Sequence, residues 1–163
     1  MGTIEFAKEF ATRAHEGQVR KYTGEPYIEH PIAVAHMVAE RGLGKEAIIA
    51  ALLHDVVEDT PVTIEEIELM FGEVIARYVW FLTKTPGFVG NREKRKAIYN
   101  KQLSEAPEEV RKIKVLDMWH NAQSIKEHDP KFYMRFRTET RLMLAALDLP
   151  IEFTAELKEF IDV

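Results

Sequence analysis

The stretch ALLHDVVEDT, residues 51–60, ends the most apolar run of the chain in four ionisable side chains: His54, Asp55, Glu58 and Asp59. Histidine beside aspartate offers a nitrogen and an oxygen ligand from adjacent positions. That mixed set suits Mn²⁺, Fe²⁺ or Zn²⁺ better than Ca²⁺ or bare Mg²⁺. Read as helix down to Glu58, the segment places His54 with Glu58, and Asp55 with Asp59, at i,i+4 spacing, each pair on one face. Two acids so placed repel by roughly a few tenths of a kcal/mol in water and by more when partly buried. A bound divalent cation reverses the sign of that interaction. The plainer alternative is a core histidine satisfied by its neighbours, followed by a solvated helix end.

Two further stretches carry chemistry. YIEHP (27–31) places His30 at the entry of a helix, beside a proline. KVLDMWHNAQS (114–124) sets Asp117 among Val115, Leu116, Met118 and Trp119, where an unpaired aspartate would be costly. His120, Asn121 and Ser124 lie three, four and seven positions on and share its face, so a polar stripe runs along an otherwise apolar helix. A salt bridge from Lys114 or Arg111 to Asp117 is the competing explanation.

The elements that must position these residues read as helical almost throughout. Ile4, Ala7, Phe10, Ala11 and Ala14 recur at helical spacing, and this first helix ends near Gly17. QVRKYTGEPYIE follows as a loop, punctuated by Gly24 and Pro26. Pro31 suits the first turn of a helix running to about Arg41. Residues 45–57 form the apolar helix that leads into the acidic cluster, and Pro61 stops it. Thr63 with Glu66 is a capping-box pattern opening a helix to about Met70. Another covers roughly 73–84 and is broken by TPGFVGN; helices at about 91–104, 108–126, 131–147 and 152–161 complete the chain. No segment alternates with period two, so the expected fold is all-α: one domain over residues 1–163, a bundle of about eight helices.

The 163 residues are enough to bury a sizeable core without crosslinks. The absence of cysteine rules out disulfides, thiolate catalysis and zinc–thiolate sites, and fits a reducing cytoplasm. The opening MGTIEFAKEF lacks the basic and apolar regions of a secretory signal, so a cytoplasmic location is expected. The apolar run AIIAALL (47–53) is far too short to span a bilayer, so no membrane partner is expected. A formal net charge of −5 weighs against general nucleic-acid binding but not against a small phosphorylated ligand.

The order His30…His54-Asp55…Asp117 resembles the metal-binding signature of the HD superfamily of phosphohydrolases. HEGQVRKYTGEPYIEHPIAVA (15–35), AALLHDVVEDTPVT (50–63), FGEVIARYV (71–79), LTK (82–84) and the D-x-x-x-N of Asp117 and Asn121 are similar to the hydrolase domain of RelA/SpoT-type alarmone enzymes and to the small alarmone hydrolases. The likeness covers about residues 1–125. It implies that His30, His54, Asp55 and Asp117 ligate one Mn²⁺ per chain, other divalent transition metals being alternatives. It implies that Glu58 and Asp59 are the catalytic acidic pair, with their division of labour open. The implied reaction removes the 3′-pyrophosphate of ppGpp or pppGpp. Arg20 and Lys21 match the family's basic pair, whose arginine packs on guanine. Asn121 matches the nucleoside-facing asparagine, and Ser124 keeps a hydroxyl where threonine is common. Tyr133 and Phe136 are candidate aromatics for the base, and the cations of NREKRK are candidates for distal phosphates or simply a solvated helix face. His15 and His120 match family positions and read as structural.

The chain also departs from that pattern. RKYTGEP is one residue longer than the RKSGEP of the long enzymes, Met118 replaces a basic residue, and N-A-Q-S (121–124) stands where they read N-M-R-T. Two other functions fit the same residues: an HD phosphohydrolase acting on a different nucleotide or phosphorylated small molecule, and a non-catalytic nucleotide-binding module. Oligomeric state is open, with a homodimer among the options.

Overall fold

The computed structural model describes residues 2–84 and 90–162, and there the chain is helical with no strand, as expected for an all-α fold. The break expected over TPGFVGN falls partly on residues 85–89, outside the described residues. The chain divides into two compact units, Met1–Lys84 and Thr85–Val163.

In the first unit, α1 (Ile4–Ala14) starts where Thr3 accepts the Phe6 amide at 3.0 Å, and it buries Ala7 and Ala11. α2 (Glu29–Glu40) carries His30 and Pro31 in its first turn, as expected. Pro31 is tolerated inside its first turn because amide groups there have no helical partner. α3 (Lys45–Leu53) buries residues on all sides, including Ile49, Leu52 and Leu53, and packs against α1, α2 and α6 (Glu73–Leu82). Each of those three large side chains contributes about 1.5–3 kcal/mol by leaving water, which anchors the helix end that carries His54. α5 (Ile64–Phe71) opens on the expected capping box: the Glu66 amide donates to Thr63 Oγ1 at 3.2 Å and the Thr63 amide to Glu66 Oε2 at 3.0 Å. Gly72 then turns the chain into α6 at φ 92°, a conformation that favours glycine.

The apolar helix does not continue to Glu58. It stops at Leu53, turns through His54 and Asp55, and restarts as the single-turn α4 (Val56–Asp59). The cause is local. His54 Nδ1 lies 2.6 Å from the Ala51 carbonyl, an oxygen that an unbroken helix would offer to the Asp55 amide. Asp55 sits at φ −105°, ψ −2°, and the ladder resumes with the Asp59 amide on the Asp55 carbonyl at 3.0 Å.

In the second unit, α7 (Arg92–Ser104) is capped by Asn91, whose side chain accepts the Lys94 amide at 2.9 Å. α8 (Glu108–His128) packs against α9 (Pro130–Leu147) and α10 (Ile151–Asp162). α9 starts on an Asp129 cap with Pro130 in the first turn. Among the described residues no helix is long and apolar enough to cross a membrane.

Candidate functional site

In the first unit three sequence-predicted ligands meet. His30 on α2 and His54 at the end of α3 are buried, at 1% and 2% exposure, with ring centroids 5.2 Å apart. Asp55 Oδ2 lies 3.0 Å from His54 Nε2 and 3.8 Å from His30 Nε2. A carbonyl can only accept, so His54 carries its proton on Nδ1, facing Ala51. In the neutral ring Nε2 therefore turns a lone pair toward the Asp55 carboxylate. Two lone pairs at 3.0 Å repel unless a proton or a cation lies between them. Two imidazole nitrogens and a carboxylate oxygen, with one ring oriented by a backbone carbonyl, fit a divalent transition metal.

Glu58 and Asp59 follow on α4. One carboxylate oxygen from each of Asp55, Glu58 and Asp59 lies within 4.8 Å of the others. Partial burial, then the Asp55 and Glu58 charges, push the Asp59 carboxyl up to about 6, against the opposing pull of His54 and Lys84. Glu58 Oε1 accepts the backbone amide of Lys84 at 3.0 Å, which ties the acidic turn to the end of α6.

Arg20 and Lys21 sit on a short hairpin. Its base is closed by the Tyr27 amide on the Gln18 carbonyl at 2.9 Å and by a bridge between Val19 and Pro26; the Arg20 amide meets the Glu25 carbonyl at 2.8 Å. The Arg20 guanidinium packs 5.8 Å from the Tyr27 ring centre, and the Lys21 ammonium 5.3 Å from that of Tyr22.

The second unit carries the remaining candidates. Asp117 on α8 is 4% exposed, and both of its oxygens are held: Oδ2 by Lys114 Nζ at 2.8 Å, Oδ1 by Asn121 Nδ2 at 3.1 Å. The salt bridge weighed from the sequence is thus present. Ser124 donates to the Asn121 carbonyl at 3.3 Å. Tyr133 and Phe136, the candidate aromatics, are buried and stacked on each other, with Tyr133 edge-on to Phe160. Of the NREKRK cations, Arg92 and Lys96 approach Glu139 on α9 at 3.0 and 3.8 Å. Met118 is buried, and Gln123 donates to the Trp119 carbonyl at 3.3 Å.

Three further groups contribute to the site without a clear mark in the sequence. The Tyr27 hydroxyl donates to Asp55 Oδ2 at 2.6 Å. Gln18 Nε2 donates to the Asp59 carbonyl at 2.9 Å while its Oε1 faces His15 Nδ1 at 2.9 Å. The third is the Lys84 amide. Tyr27 stands inside YIEHP, three residues before His30, and its hydroxyl within a ligand-bearing motif was the available signal. Nothing local marks Gln18 or a backbone amide.

A family model described as HD domain matches residues 7–147, across both units. The chain is 39% identical over 134 residues to the bifunctional (p)ppGpp synthase/hydrolase SpoT of Escherichia coli (strain K12), covering 80% of this chain and 19% of that protein. It is 44% identical over 124 residues to the guanosine-3′,5′-bis(diphosphate) 3′-pyrophosphohydrolase of Aquifex aeolicus, covering 75% of this chain and 18% of that protein. It therefore spans about a fifth of the length of these curated relatives. A solved structure described as a metazoan ortholog of SpoT that hydrolyzes ppGpp superposes with a TM-score of 0.87 at 22% identity, covering 98% of this chain and 93% of that one, a likeness of fold.

Proposed function

The chain belongs to the HD domain family, and we propose that it is a metal-dependent phosphohydrolase that removes the 3′-pyrophosphate of ppGpp or pppGpp. The observation that carries this reading is the convergence of His30, His54 and Asp55 beside the Glu58–Asp59 pair. Similarity to two (p)ppGpp hydrolases over three quarters or more of the chain supports the substrate. In this reading residues 1–163 work as one hydrolase domain, since the family model runs through both units.

His30, His54, Asp55 and Asp117 would hold the ion, which we propose to be Mn²⁺. When bound, such an ion supplies positive charge that polarises a phosphoryl oxygen and acidifies water. The chain's own groups do the rest. Asp59, its carboxyl raised to about 6 by burial and like charges, is still largely ionised at neutral pH and can take the proton of the attacking water. Glu58, fixed by the Lys84 amide, orients that water. Water oxygen bonds to the phosphorus attached to the 3′-oxygen, the 3′-oxygen–phosphorus bond breaks, and the proton passes to the 3′-oxygen. GDP or GTP and pyrophosphate result. Arg20 supplies a planar cation for guanine stacking, Lys21 a flexible charge, and Asn121 and Ser124 polar contacts to the nucleoside.

One observation favours a second reading, another phosphorylated nucleotide. Met118, buried, and Gln123, exposed and bonded back to its own helix, present no cation where the long enzymes carry basic residues. A nucleotide panel incubated with Mn²⁺-loaded protein, its products identified by mass, separates the two. Preferential release of pyrophosphate from ppGpp is expected. Intact ppGpp beside a cleaved alternative, or release of orthophosphate, would favour the second reading. No turnover on any member would leave a binding module.

A further inference from the structure

The hairpin bearing Arg20 and Lys21 is tied at its base to both ends of the acidic segment. Gln18, at one foot, donates to the Asp59 carbonyl at 2.9 Å; Tyr27, at the other, donates to Asp55 Oδ2 at 2.6 Å. The feet are themselves bonded, Tyr27 amide to Gln18 carbonyl at 2.9 Å. The Tyr27 ring is held on three sides: the His15 ring at 4.9 Å, the His30 ring at 6.0 Å and the Arg20 guanidinium at 5.8 Å. His15 is 2% exposed and bonded to Gln18, so the clamp around Tyr27 rests on a buried residue.

We propose that Tyr27 is a positioning residue: its hydroxyl fixes the Asp55 carboxylate for the cation, and its ring couples that carboxylate to the nucleotide-reading Arg20. The chemistry of the bond supports this role. The phenol proton lies on the same oxygen that faces both imidazoles, so the carboxylate is oriented toward His30 and His54 before any ion arrives. Hydroxyl donors behind a carboxylate ligand typically tune metal affinity about 10- to 100-fold. The ring does a separate job, since a guanidinium packed on an aromatic face is held electrostatically as well as by contact. Hydroxyl and ring therefore affect different measurements.

This inference rests on the metal-dependent reading of the site, and the test separates the two. Mn²⁺ affinity is measured by chelator competition, without substrate, for wild type, Tyr27→Phe and Gln18→Ala. Wild type that binds no Mn²⁺ sinks the metal reading and this inference with it. With wild type binding, Tyr27→Phe is expected to weaken Mn²⁺ affinity at least tenfold, while Gln18→Ala stays within about threefold because its bonds, to the Asp59 carbonyl and the His15 ring, touch no carboxylate oxygen of Asp55. At saturating Mn²⁺, Tyr27→Phe should recover kcat with KM near wild type, since the ring under Arg20 is intact. Tyr27→Leu should instead raise KM in addition. Affinity unchanged by Tyr27→Phe, or an equal loss in Gln18→Ala as a general loosening would give, overturns the proposal. Should Tyr27→Phe fail to fold, Tyr27→Leu carries the same comparison: Mn²⁺ affinity equal to wild type would overturn it.

Discussion

Replacing Lys114 with methionine tests how the buried Asp117 is kept charged. The carboxylate is 4% exposed, and its partners include the Lys114 ammonium at 2.8 Å and the Asn121 amide at 3.1 Å. Removing one partner of a buried pair costs about 3–5 kcal/mol when the other is left uncompensated. Two features lower that figure here. Asn121 still holds Oδ1, and the Lys114 side chain is 13% exposed, so some water reaches the pair. A loss of about 2–3 kcal/mol is therefore expected for the metal-free protein, read by urea denaturation in chelator. If Asp117 is a metal ligand, a divalent cation replaces the missing ammonium, and the gap between variant and wild type should narrow in saturating Mn²⁺. A loss below about 0.5 kcal/mol in chelator would refute the electrostatic reasoning, because a gap that small is what an exposed pair gives. A gap of the same size with and without Mn²⁺ would remove Asp117 from the ligand set.

Glu58→Gln combined with Asp59→Asn should abolish turnover while retaining Mn²⁺; surviving turnover, followed by product release, would take the catalytic role from this pair. Asp117→Ala should lose both bound Mn²⁺ and activity, and an unchanged metal content by elemental analysis would reject its ligand role. In metal-free protein Asp59 is raised from near 3.8 to about 6, so the folded state binds its proton more tightly than the unfolded chain does. That contribution to stability is fully present below about pH 3.8 and is lost as pH rises through about 6. Urea midpoints in chelator should show this component falling between pH 4 and 6, and Asp59→Asn should remove it; identical profiles for the two proteins would contradict the assignment.

The parts of this molecule that could be read from its sequence are those whose causes are local. Thr63 and Glu66 announce the start of α5 because both partners of the capping box lie within four residues. Lys114 was nameable as a partner of Asp117 because three positions on a helix put them side by side. That His30, His54 and Asp55 meet was expected from the order of their motifs and the family resemblance those motifs carry, not from local structure. The break at His54–Asp55 was not, since helical periodicity carries no sign of a ring nitrogen taking the Ala51 carbonyl. The bonds from Tyr27 to Asp55 and from Gln18 to Asp59 span 28 and 41 residues, and only the folded chain shows them. Lys84 holds Glu58 through its backbone amide, a group every non-proline residue has, so its side-chain type gave no hint.

In the proposed reaction water, handled by the acids beside the His30–His54–Asp55 centre, attacks phosphorus and expels the nucleoside 3′-oxygen. Incubating Mn²⁺-loaded protein with ppGpp in ¹⁸O-water and weighing both products by mass spectrometry reports which bond breaks. The expected result is one heavy oxygen in pyrophosphate and none in GDP. Intact ppGpp, labelled orthophosphate, or label in GDP would contradict it.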